Sequence, residues 1–256
     1  MIKLIISLLA IIPFFANAEV KLPKDMGTYF NKNHSSCFLI KRVGGLKVQS
    51  FNMKQCDLRN EPYSTFKILN SLIGLETAAI NSLTIIPWDK KKKFLKAWEK
   101  DHTLKSAIKN SVVPFYQELA RRINLNRMQK YINLVDYGNK KVGDRIDRFW
   151  LDGPIQISAS EQLNFIEKLY RNQLPFKKEH QSFVKEILIN EKGPSRILSG
   201  KTGSKYKKGH FVFGWFVGHV RKGKDQYVFV INSKGQGESG SRLKSVAISI
   251  LQDMGL

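Results

Sequence analysis

A serine and a lysine three residues apart begin a strongly apolar segment of this chain. Ser64 and Lys67, in Pro62-Tyr-Ser-Thr-Phe-Lys, follow an extended stretch and precede a run rich in Ile and Leu. Residues three apart lie on one face of a helix, so the hydroxyl and the amine would be close enough to share a proton. Burial disfavours the charged form of a lysine, and a neutral amine can act as a base. The pair is therefore a candidate nucleophile and base.

The Ser-x-x-Lys spacing alone is a weak signal. It also occurs at four pairs in polar or lysine-rich surroundings: Ser106 and Lys109, Ser182 and Lys185, Ser204 and Lys207, and Ser241 and Lys244. Solvated lysines keep their charge and make poor bases. What distinguishes the first pair is the apolar helix predicted to start there, since unpaired N–H groups at a helix start also suit an oxyanion.

A second candidate group follows a strand-like run, Arg196-Ile-Leu-Ser-Gly. Lys201, Thr202 and Gly203 at the end of a strand would offer an anionic substrate a cation, a hydroxyl group and a main chain that it can approach closely. Ser-x-x-Lys with a distant Lys-Thr-Gly is a signature of β-lactamases and penicillin-binding proteins. The two motifs together therefore favour serine acylation chemistry.

The chain resembles the class D, oxacillinase-type, serine β-lactamases over nearly its whole length after residue 18. Five elements occur in the family's order and with similar spacing: Ser64-Thr-Phe-Lys67, Ser111-Val-Val113, Tyr137-Gly-Asn139, Phe-Trp150-Leu-Asp-Gly and Lys201-Thr-Gly203. Each has an ordinary structural explanation by itself, such as a core aromatic for Trp150 or a turn around Asn139. Their joint occurrence favours one shared site.

The resemblance implies a role for each matched residue. Ser64 would be the acylated nucleophile, and Lys67, N-carboxylated by carbon dioxide or bicarbonate, would be the general base for acylation and deacylation. Ser111 would relay a proton near the leaving nitrogen. Val113 would keep this base dry, and Trp150 would donate its indole N–H to the carbamate. Tyr137 and Asn139, from the matched Tyr-Gly-Asn motif, would be supporting residues.

The same resemblance places substrate-binding groups at the second motif. Lys201 would take part in catalysis and, with Thr202, would face the substrate carboxylate, while Gly203 lets the substrate approach. The amides of Ser64 and Ser204 would form the oxyanion hole, which stabilises charge that develops only in the tetrahedral state. These residues would therefore bind the substrate and hold its carbonyl oxygen.

Arg242, on the last predicted helix, is the implied charged partner of the substrate carboxylate. The preceding segment, residues 234–241, is glycine-rich, so the alignment can shift there. Arg221 is the alternative, although it is expected in a turn between strands.

A class A β-lactamase is the nearest rival. Glu161-Gln-Leu-Asn164 is one residue short of that class's deacylating Glu-x-x-Leu-Asn element, and Ser111-Val-Val113 stands where its Ser-Asp-Asn would be. Without a dedicated glutamate, the base for deacylation must be found elsewhere, and carboxylated Lys67 supplies it.

The alternative function is a penicillin-sensing or penicillin-binding module that acylates without turnover. Such receptor domains share this fold and these motifs. The short chain, with no transmembrane segment to link it to a signalling partner, favours the enzyme.

The expected fold is α/β (α+β) and β-lactamase/transpeptidase-like, with an antiparallel sheet flanked by helices and a mainly helical lobe. A glycine turn separates Cys37-Phe-Leu-Ile-Lys from Val48-Gln-Ser-Phe and predicts a hairpin. Strands are predicted at 196–202, 210–220 and 227–232, and a helix at 242–254. We expect one catalytic domain, residues 19–256, whose α/β lobe combines about 19–85 and 191–256 around a helical lobe at about 86–190.

The first 18 residues predict a secretory signal peptide. They carry one lysine, an apolar run over residues 4–15 and the small-x-small pattern Ala16-Asn17-Ala18. The run is too short to span a bilayer, which needs about 20 apolar residues, so a retained anchor is the less favoured interpretation. We expect export to the bacterial periplasm with no stable membrane insertion.

The formal net charge is +22, from 43 basic and 21 acidic residues. The lysines are dispersed and lack the interleaved aromatics of base-stacking surfaces, so the expected partner is a small-molecule β-lactam and not a nucleic acid. A basic envelope or nucleic-acid binder would show strongly salt-dependent association. The chain is expected as a monomer or homodimer, and any purpose of the charge beyond solubility stays open.

Two cysteines, Cys37 and Cys56, flank the predicted hairpin. They could pair in an oxidising compartment, but their separation in space cannot be read from sequence, so the disulfide stays open. Two cysteines without a nearby histidine pattern argue against zinc. No metal and no cofactor other than carbon dioxide or bicarbonate is expected.

Overall fold

A six-stranded antiparallel sheet forms the centre of the fold. The computed structural model describes residues 20–256, and the predicted signal peptide, residues 1–18, lies outside the described residues. The strands follow the spatial order β2-β1-β6-β5-β4-β3. Their bounds are β1 Ser35–Arg42, β2 Val48–Phe51, β3 Ile189–Lys192, β4 Arg196–Lys207, β5 His210–Lys222 and β6 Asp225–Lys234. The sheet and its flanking helices confirm the predicted fold class.

Both ends of the chain contribute to this sheet. Strand β1 pairs along its whole length with β6, so that Cys37 lies opposite Asn232. Strands β1 and β2 form the predicted hairpin, with Phe38 opposite Phe51. Gly44 lies in its turn at φ +77°, a conformation that glycine adopts without strain. The sheet is therefore discontinuous in sequence, as predicted.

Eight α-helices are described in residues 20–256. Their bounds are α1 Met53–Cys56, α2 Lys67–Glu76, α3 Leu104–Lys109, α4 Val113–Ile123, α5 Leu125–Val135, α6 Ala159–Tyr170, α7 Lys178–Ile187 and α8 Gly240–Asp253. Helices α3 to α7 occupy the segment that the apolar spacing predicted to be helical. Of the described helices, none is both long and apolar enough to cross a membrane.

The central strands are apolar on both faces because helices cover both faces. Val217 and Val230 belong to the core on the side of α6, which also includes α2 and α4. Phe216 and Ile231 belong to a second core on the side of α8, where Leu243 is buried. The middle of each central strand is therefore packed on both faces, between the α6 side and the α8 side.

Cys37 on β1 and Cys56 on α1 form a disulfide, with 5.2 Å between their Cα atoms. The sequence left this pairing open. The bond links α1, the short helix after the hairpin, to the sheet, just before the segment that leads to Ser64.

Glu161, the residue that resembled a class A glutamate, has a structural role. Its Oε2 accepts a hydrogen bond of 2.8 Å from the amide of Ser158, and its own amide donates to Ser158 Oγ. This capping box starts α6 and satisfies two of the helix's unpaired N–H groups. Arg59 Nη2 also lies 2.5 Å from Glu161 Oε1. The Glu161 carboxylate is therefore engaged in capping α6 and in the ion pair with Arg59.

Candidate active site

Ser64 lies on a 3₁₀ turn, Tyr63–Phe66, that leads directly into α2. The sequence predicted a helix from Ser64, whereas the α-helix proper begins at Lys67. Tyr63 has a φ of +47°, which is uncommon for a residue with a side chain and turns the chain sharply before Ser64. The turn leaves Ser64 partly exposed and directs Lys67, the first residue of α2, into the core.

The Lys67 amine lies 2.7 Å from the Ser64 hydroxyl oxygen. It also lies 2.8 Å from the main-chain oxygen of Ser111 and 5.5 Å from the ring centroid of Tyr116. The side chain is fully buried. Burial, and next the positive charge of Lys201, hold the pKa of Lys67 well below its usual value. A neutral amine has a lone pair that can accept the Ser64 proton.

Ser111 joins the two buried lysines. Its Oγ lies 3.0 Å from Lys67 Nζ and 3.0 Å from Lys201 Nζ. Ser111 has a φ of +52° and occupies the break between α3 and α4. Val112 next to it is buried, whereas Val113, the residue implied to keep the base dry, is half-buried at the first position of α4. The break therefore presents one hydroxyl to both amines.

Lys201 reaches this hydroxyl from β4. Its Nζ also lies 3.0 Å from the main-chain oxygen of Thr202. The residue is 5% exposed, and burial lowers the pKa of Lys201 to about 7. Near neutral pH the amine therefore exchanges between charged and neutral forms, and it can either attract an anion or pass a proton.

Strand β4 approaches the serine turn at Gly203. A Cβ atom at Gly203 would lie 3.0 Å from the main-chain oxygen of Pro62 and 3.3 Å from the amide nitrogen of Ser64. Such distances are tighter than ordinary van der Waals contact, so a side chain here would force β4 away from Ser64. The glycine of Lys-Thr-Gly thus brings two chain segments together, whereas the sequence analysis had assigned the close approach at Gly203 to the substrate.

Helix α8 begins beside the same strand. The amide of Gly240 donates a 2.9 Å hydrogen bond to Ser204 Oγ, and a Cβ at Gly240 would lie 2.7 Å from Thr202 Cβ. Arg242 lies in the first turn of α8, and its guanidinium contacts Glu238. Arg221, the alternative, pairs with Ile197 at the opposite end of β4. A cavity of about 540 Å³ opens beside Lys201 and Thr202 and includes Ser241.

Trp150 packs behind the nucleophile. It is fully buried and stacks on Phe66, the residue before Lys67, at a centroid distance of 5.6 Å. Its indole Nε1 has no hydrogen-bond partner among the described residues. An unsatisfied buried donor is unfavourable, which suggests an acceptor that the polypeptide itself does not supply.

The Tyr137-Gly-Asn139 motif fixes the loop that carries Trp150. Asn139 Nδ2 donates to the main-chain oxygen of Pro154 at 2.8 Å, and its Oδ1 accepts from the amide of Gln156 at 3.1 Å. Gly138 has a φ of +55°, and a Cβ there would overlap the Gln156 carbonyl oxygen. Tyr137 contacts Phe66 edge-on at 5.6 Å. The motif closes the loop instead of facing Ser64.

Two residues near these groups carried no recognisable signal in the sequence. Tyr116, whose ring lies over the Lys67 amine, is one of several apolar residues at helical spacing between Val112 and Ile123, and no motif marks it. Glu238, which contacts Arg242, stands in a glycine-rich segment without periodicity. Within residues 20–256, no group of three His, Cys, Asp or Glu side chains could hold a metal ion.

The chain is similar to known β-lactamases in sequence and in structure. The chain matches the penicillin binding protein transpeptidase domain over residues 23–252. It is 38% identical to β-lactamase OXA-5 of Pseudomonas aeruginosa over 256 residues, which covers 96% of each chain. Its structure resembles a class D β-lactamase of Bacillus subtilis with a TM-score of 0.87 and 36% identity, covering 94% of this chain and 99% of that one.

A further relative is a regulatory protein. The chain is 32% identical to the regulatory protein BlaR1 of Bacillus licheniformis over 91% of this chain, but the match covers only 39% of BlaR1. The resemblance to β-lactamases such as OXA-5 therefore extends over nearly whole chains, and the resemblance to BlaR1 is confined to part of BlaR1.

Proposed function

This chain belongs to the class D β-lactamases, and we infer that it hydrolyses β-lactam antibiotics through a serine acyl-enzyme. The observation that supports this most directly is the fully buried Lys67 amine, 2.7 Å from the hydroxyl oxygen of Ser64. A serine hydroxyl is a weak nucleophile unless an adjacent base takes its proton. Here the base is built into the same helical turn as the nucleophile.

We propose that acylation begins when Lys67 accepts the Ser64 proton. Ser64 Oγ then attacks the carbonyl carbon of the β-lactam, and the carbonyl oxygen becomes an oxyanion. The amides of Ser64 and Ser204 are proposed to stabilise it, a contribution typically worth about 10²–10³ in rate per donor. The close approach of Gly203 to the Ser64 amide supports this pairing of segments.

Ring opening requires a proton on the lactam nitrogen, and we propose that Ser111 delivers it. Its hydroxyl lies 3.0 Å from both Lys67 Nζ and Lys201 Nζ. A proton taken from Ser64 by Lys67 can therefore pass through Ser111 to the nitrogen as the C–N bond breaks. Lys201 stabilises the hydroxyl during this transfer.

Deacylation is proposed to depend on N-carboxylation of Lys67 by carbon dioxide. The lowered pKa of Lys67 favours the neutral amine, which is the form that adds carbon dioxide. The buried Trp150 Nε1, without a partner among residues 20–256, is a donor suited to an anionic oxygen. When present, the carbamate would supply an anionic base at Lys67, both for the Ser64 proton in acylation and for the water molecule that releases the acyl group.

Substrate binding is proposed to involve the β-lactam carboxylate. Lys201 and Thr202 lie at the cavity beside the start of α8, and Lys105, Lys109 and Lys244 line the same cavity. Glu186 also lines the cavity and pairs with Lys105 at 3.5 Å, so the lining keeps a net positive charge, which attracts anionic ligands and raises association rates. Penicillins are the substrates we expect first, because each carries this carboxylate beside the lactam ring.

Export to the periplasm is part of the proposal. The predicted signal peptide precedes the described residues, and the Cys37–Cys56 disulfide suits an oxidising compartment.

The test compares two Ser-x-x-Lys pairs of this chain. Lys67→Ala should abolish benzylpenicillin turnover, because Ser64 loses its base. The matched control is Lys185→Ala in the Ser182 pair, a lysine of α7 that does not line the cavity at Lys201, which should retain most of the turnover. Full activity in Lys67→Ala would contradict the mechanism. A wild-type protein that acquires a lasting adduct on Ser64 without turnover would instead be a penicillin sensor.

A further inference from the structure

Glu238 is a fully buried carboxylate that the proposed reaction does not use. Arg242 Nη1 lies 2.9 Å from its Oε2 and 3.0 Å from its Oε1. On the other side, His34 Nδ1 lies 2.6 Å from Oε1. A carboxylate without solvent contact requires such partners, because an unpaired buried charge is strongly unfavourable. The residue therefore has a built environment and is not a surface ion pair.

The turn between β6 and α8 holds Glu238 in place. The amide of Gly237, at φ +82°, donates a 2.8 Å hydrogen bond to the main-chain oxygen of Phe211. The amide of Gly235 donates a hydrogen bond to the main-chain oxygen of Val212. A Cβ atom at Gly235 would overlap the His34 imidazole ring. Two glycines thus allow this turn to close over His34 and direct Glu238 inward.

Arg242 is held at two points. Its amide donates a 3.2 Å hydrogen bond to Ser239 Oγ at the start of α8. Among residues 20–256, its guanidinium hydrogen bonds only to Glu238, and only through Nη1. The Nε and Nη2 groups remain as donors for a ligand. The start of α8 lies against Thr202, since a Cβ at Gly240 would be 2.7 Å from Thr202 Cβ.

We propose that Glu238 is a positioning residue, which holds the Arg242 guanidinium ready for the carboxylate of the β-lactam beside Thr202. This inference rests on the proposed function. An arginine side chain loses considerable rotamer freedom when it is fixed, so an arginine already fixed by Glu238 binds a carboxylate with less entropic loss. The buried ion pair also fixes the direction of the planar donor group.

Because Glu238 is proposed to act through Arg242, its replacement should affect only substrates that carry a carboxylate. Glu238→Gln retains the volume of the buried side chain but removes its charge. KM for benzylpenicillin should rise roughly 5- to 30-fold with kcat within about twofold, because a group that binds ground state and transition state alike changes KM. KM for the methyl ester of benzylpenicillin should stay unchanged, because the ester has no carboxylate for Arg242.

The control is Glu167→Gln. Glu167 is also a buried glutamate in an ion pair, with Lys41 Nζ at 2.6 Å, and it lies on α6 away from Arg242 in sequence and in contacts. This variant should leave KM for both substrates unchanged. Arg242→Ala should raise KM for the acid and not for the ester, and Glu238→Gln in that background should have no further effect.

Equal rises in KM for the acid and the ester would overturn the proposal, because they indicate a general structural role. An unchanged or lower KM for the acid in Glu238→Gln would also overturn it. If Glu238→Gln does not fold, the single Arg242→Ala variant decides: no difference between acid and ester refutes the proposal. Absence of wild-type hydrolysis would refute the proposed function, which is a separate result.

Discussion

Replacing Lys201 with methionine should stabilise the protein while removing its activity. Lys201 is 5% exposed, and its amine contacts Ser111 Oγ and the Thr202 main-chain oxygen, each at 3.0 Å. No carboxylate is among these contacts. The folded state therefore holds a lysine where burial opposes its charge, as expected of a group kept for function at the expense of stability. Lys201→Met fills nearly the same volume without that charge.

The magnitude follows from the pKa of Lys201, which burial lowers from 10.5 to about 7. One pKa unit corresponds to about 1.4 kcal/mol, so the charged form opposes folding by about 5 kcal/mol below pH 7. The two shorter hydrogen bonds of the amine, to Ser111 Oγ and the Thr202 main-chain oxygen, offset about 1 kcal/mol each, and the third, at 3.4 Å from Thr202 Oγ1, offsets little. We expect the free energy of unfolding of Lys201→Met to exceed that of wild type by about 2–4 kcal/mol at pH 6.5.

The advantage of Lys201→Met should decrease as the pH rises. Below pH 7 Lys201 is charged in the folded and the unfolded state, so the full penalty applies. Between pH 7 and 10.5 the folded state has released its proton while the unfolded chain still binds one, so wild-type stability rises with pH. The rise is about 1.4 kcal/mol per pH unit, and the difference between the proteins should shrink by about 2–3 kcal/mol at pH 9.

Urea denaturation of both proteins at pH 6.5 and pH 9 measures this difference. Lys109→Met, at an exposed lysine, is the control and should change stability by no more than about 0.5 kcal/mol. The reasoning is refuted if Lys201→Met is no more stable than wild type at pH 6.5, or if its advantage is the same at both pH values.

Three further predictions concern the supports of the site. Gly138→Ala should lower the free energy of unfolding by about 2–4 kcal/mol in urea denaturation, because its Cβ would overlap a main-chain oxygen. The control Gly209→Ala, at a φ of +84° but in open space, should lower it by only about 1 kcal/mol. Equal losses of stability in the two variants would contradict the overlap argument. The Trp150→Phe variant should have the circular dichroism spectrum of a folded protein. It should need roughly tenfold more bicarbonate for half-maximal turnover, because it lacks the indole N–H. An unchanged bicarbonate requirement would argue against Trp150 as the donor. Replacing Cys37 and Cys56 with serine should cost about 3 kcal/mol, because their disulfide joins residues 19 apart, and an unchanged melting temperature would refute this.

The sequence predicted elements well where their apolar pattern reflects burial. The β1–β2 hairpin and the strands near the chain end have short β-rich runs with glycine turns, and the structure has them. Strand β3 was missed: Ile189–Lys192 is a four-residue edge strand exposed throughout, so no pattern distinguishes it from the end of a helix. Helix α8 begins at Gly240, before the predicted Arg242, because Ser239 caps it.

The serine and lysine motifs were predictable because local geometry determines much of their arrangement. Ser64 and Lys67 lie within one turn of chain, so their 2.7 Å contact follows from helical spacing. The contact between Ser111 and Lys201 joins residues 90 apart in sequence, and only the resemblance to a family connected them beforehand. Distant pairs of this kind depend on the sheet and the helical segment packing together.

Other features depend on tertiary contacts that leave no trace in the spacing. Asn139 clamps a loop through main-chain groups of Pro154 and Gln156, which any residue type could supply. The contact between Glu238 and His34 joins the segment before α8 to the segment before β1. The family resemblance located Arg242 but not the carboxylate that holds it.

The most direct test of the central claim is steady-state hydrolysis of benzylpenicillin by the purified wild-type protein, with and without added bicarbonate, followed by intact-protein mass. The account predicts rapid turnover that rises with bicarbonate and only a transient adduct on Ser64. A stable adduct without turnover, or neither adduct nor turnover, would contradict the proposal that Lys67 activates Ser64 and then supports release of the acyl group.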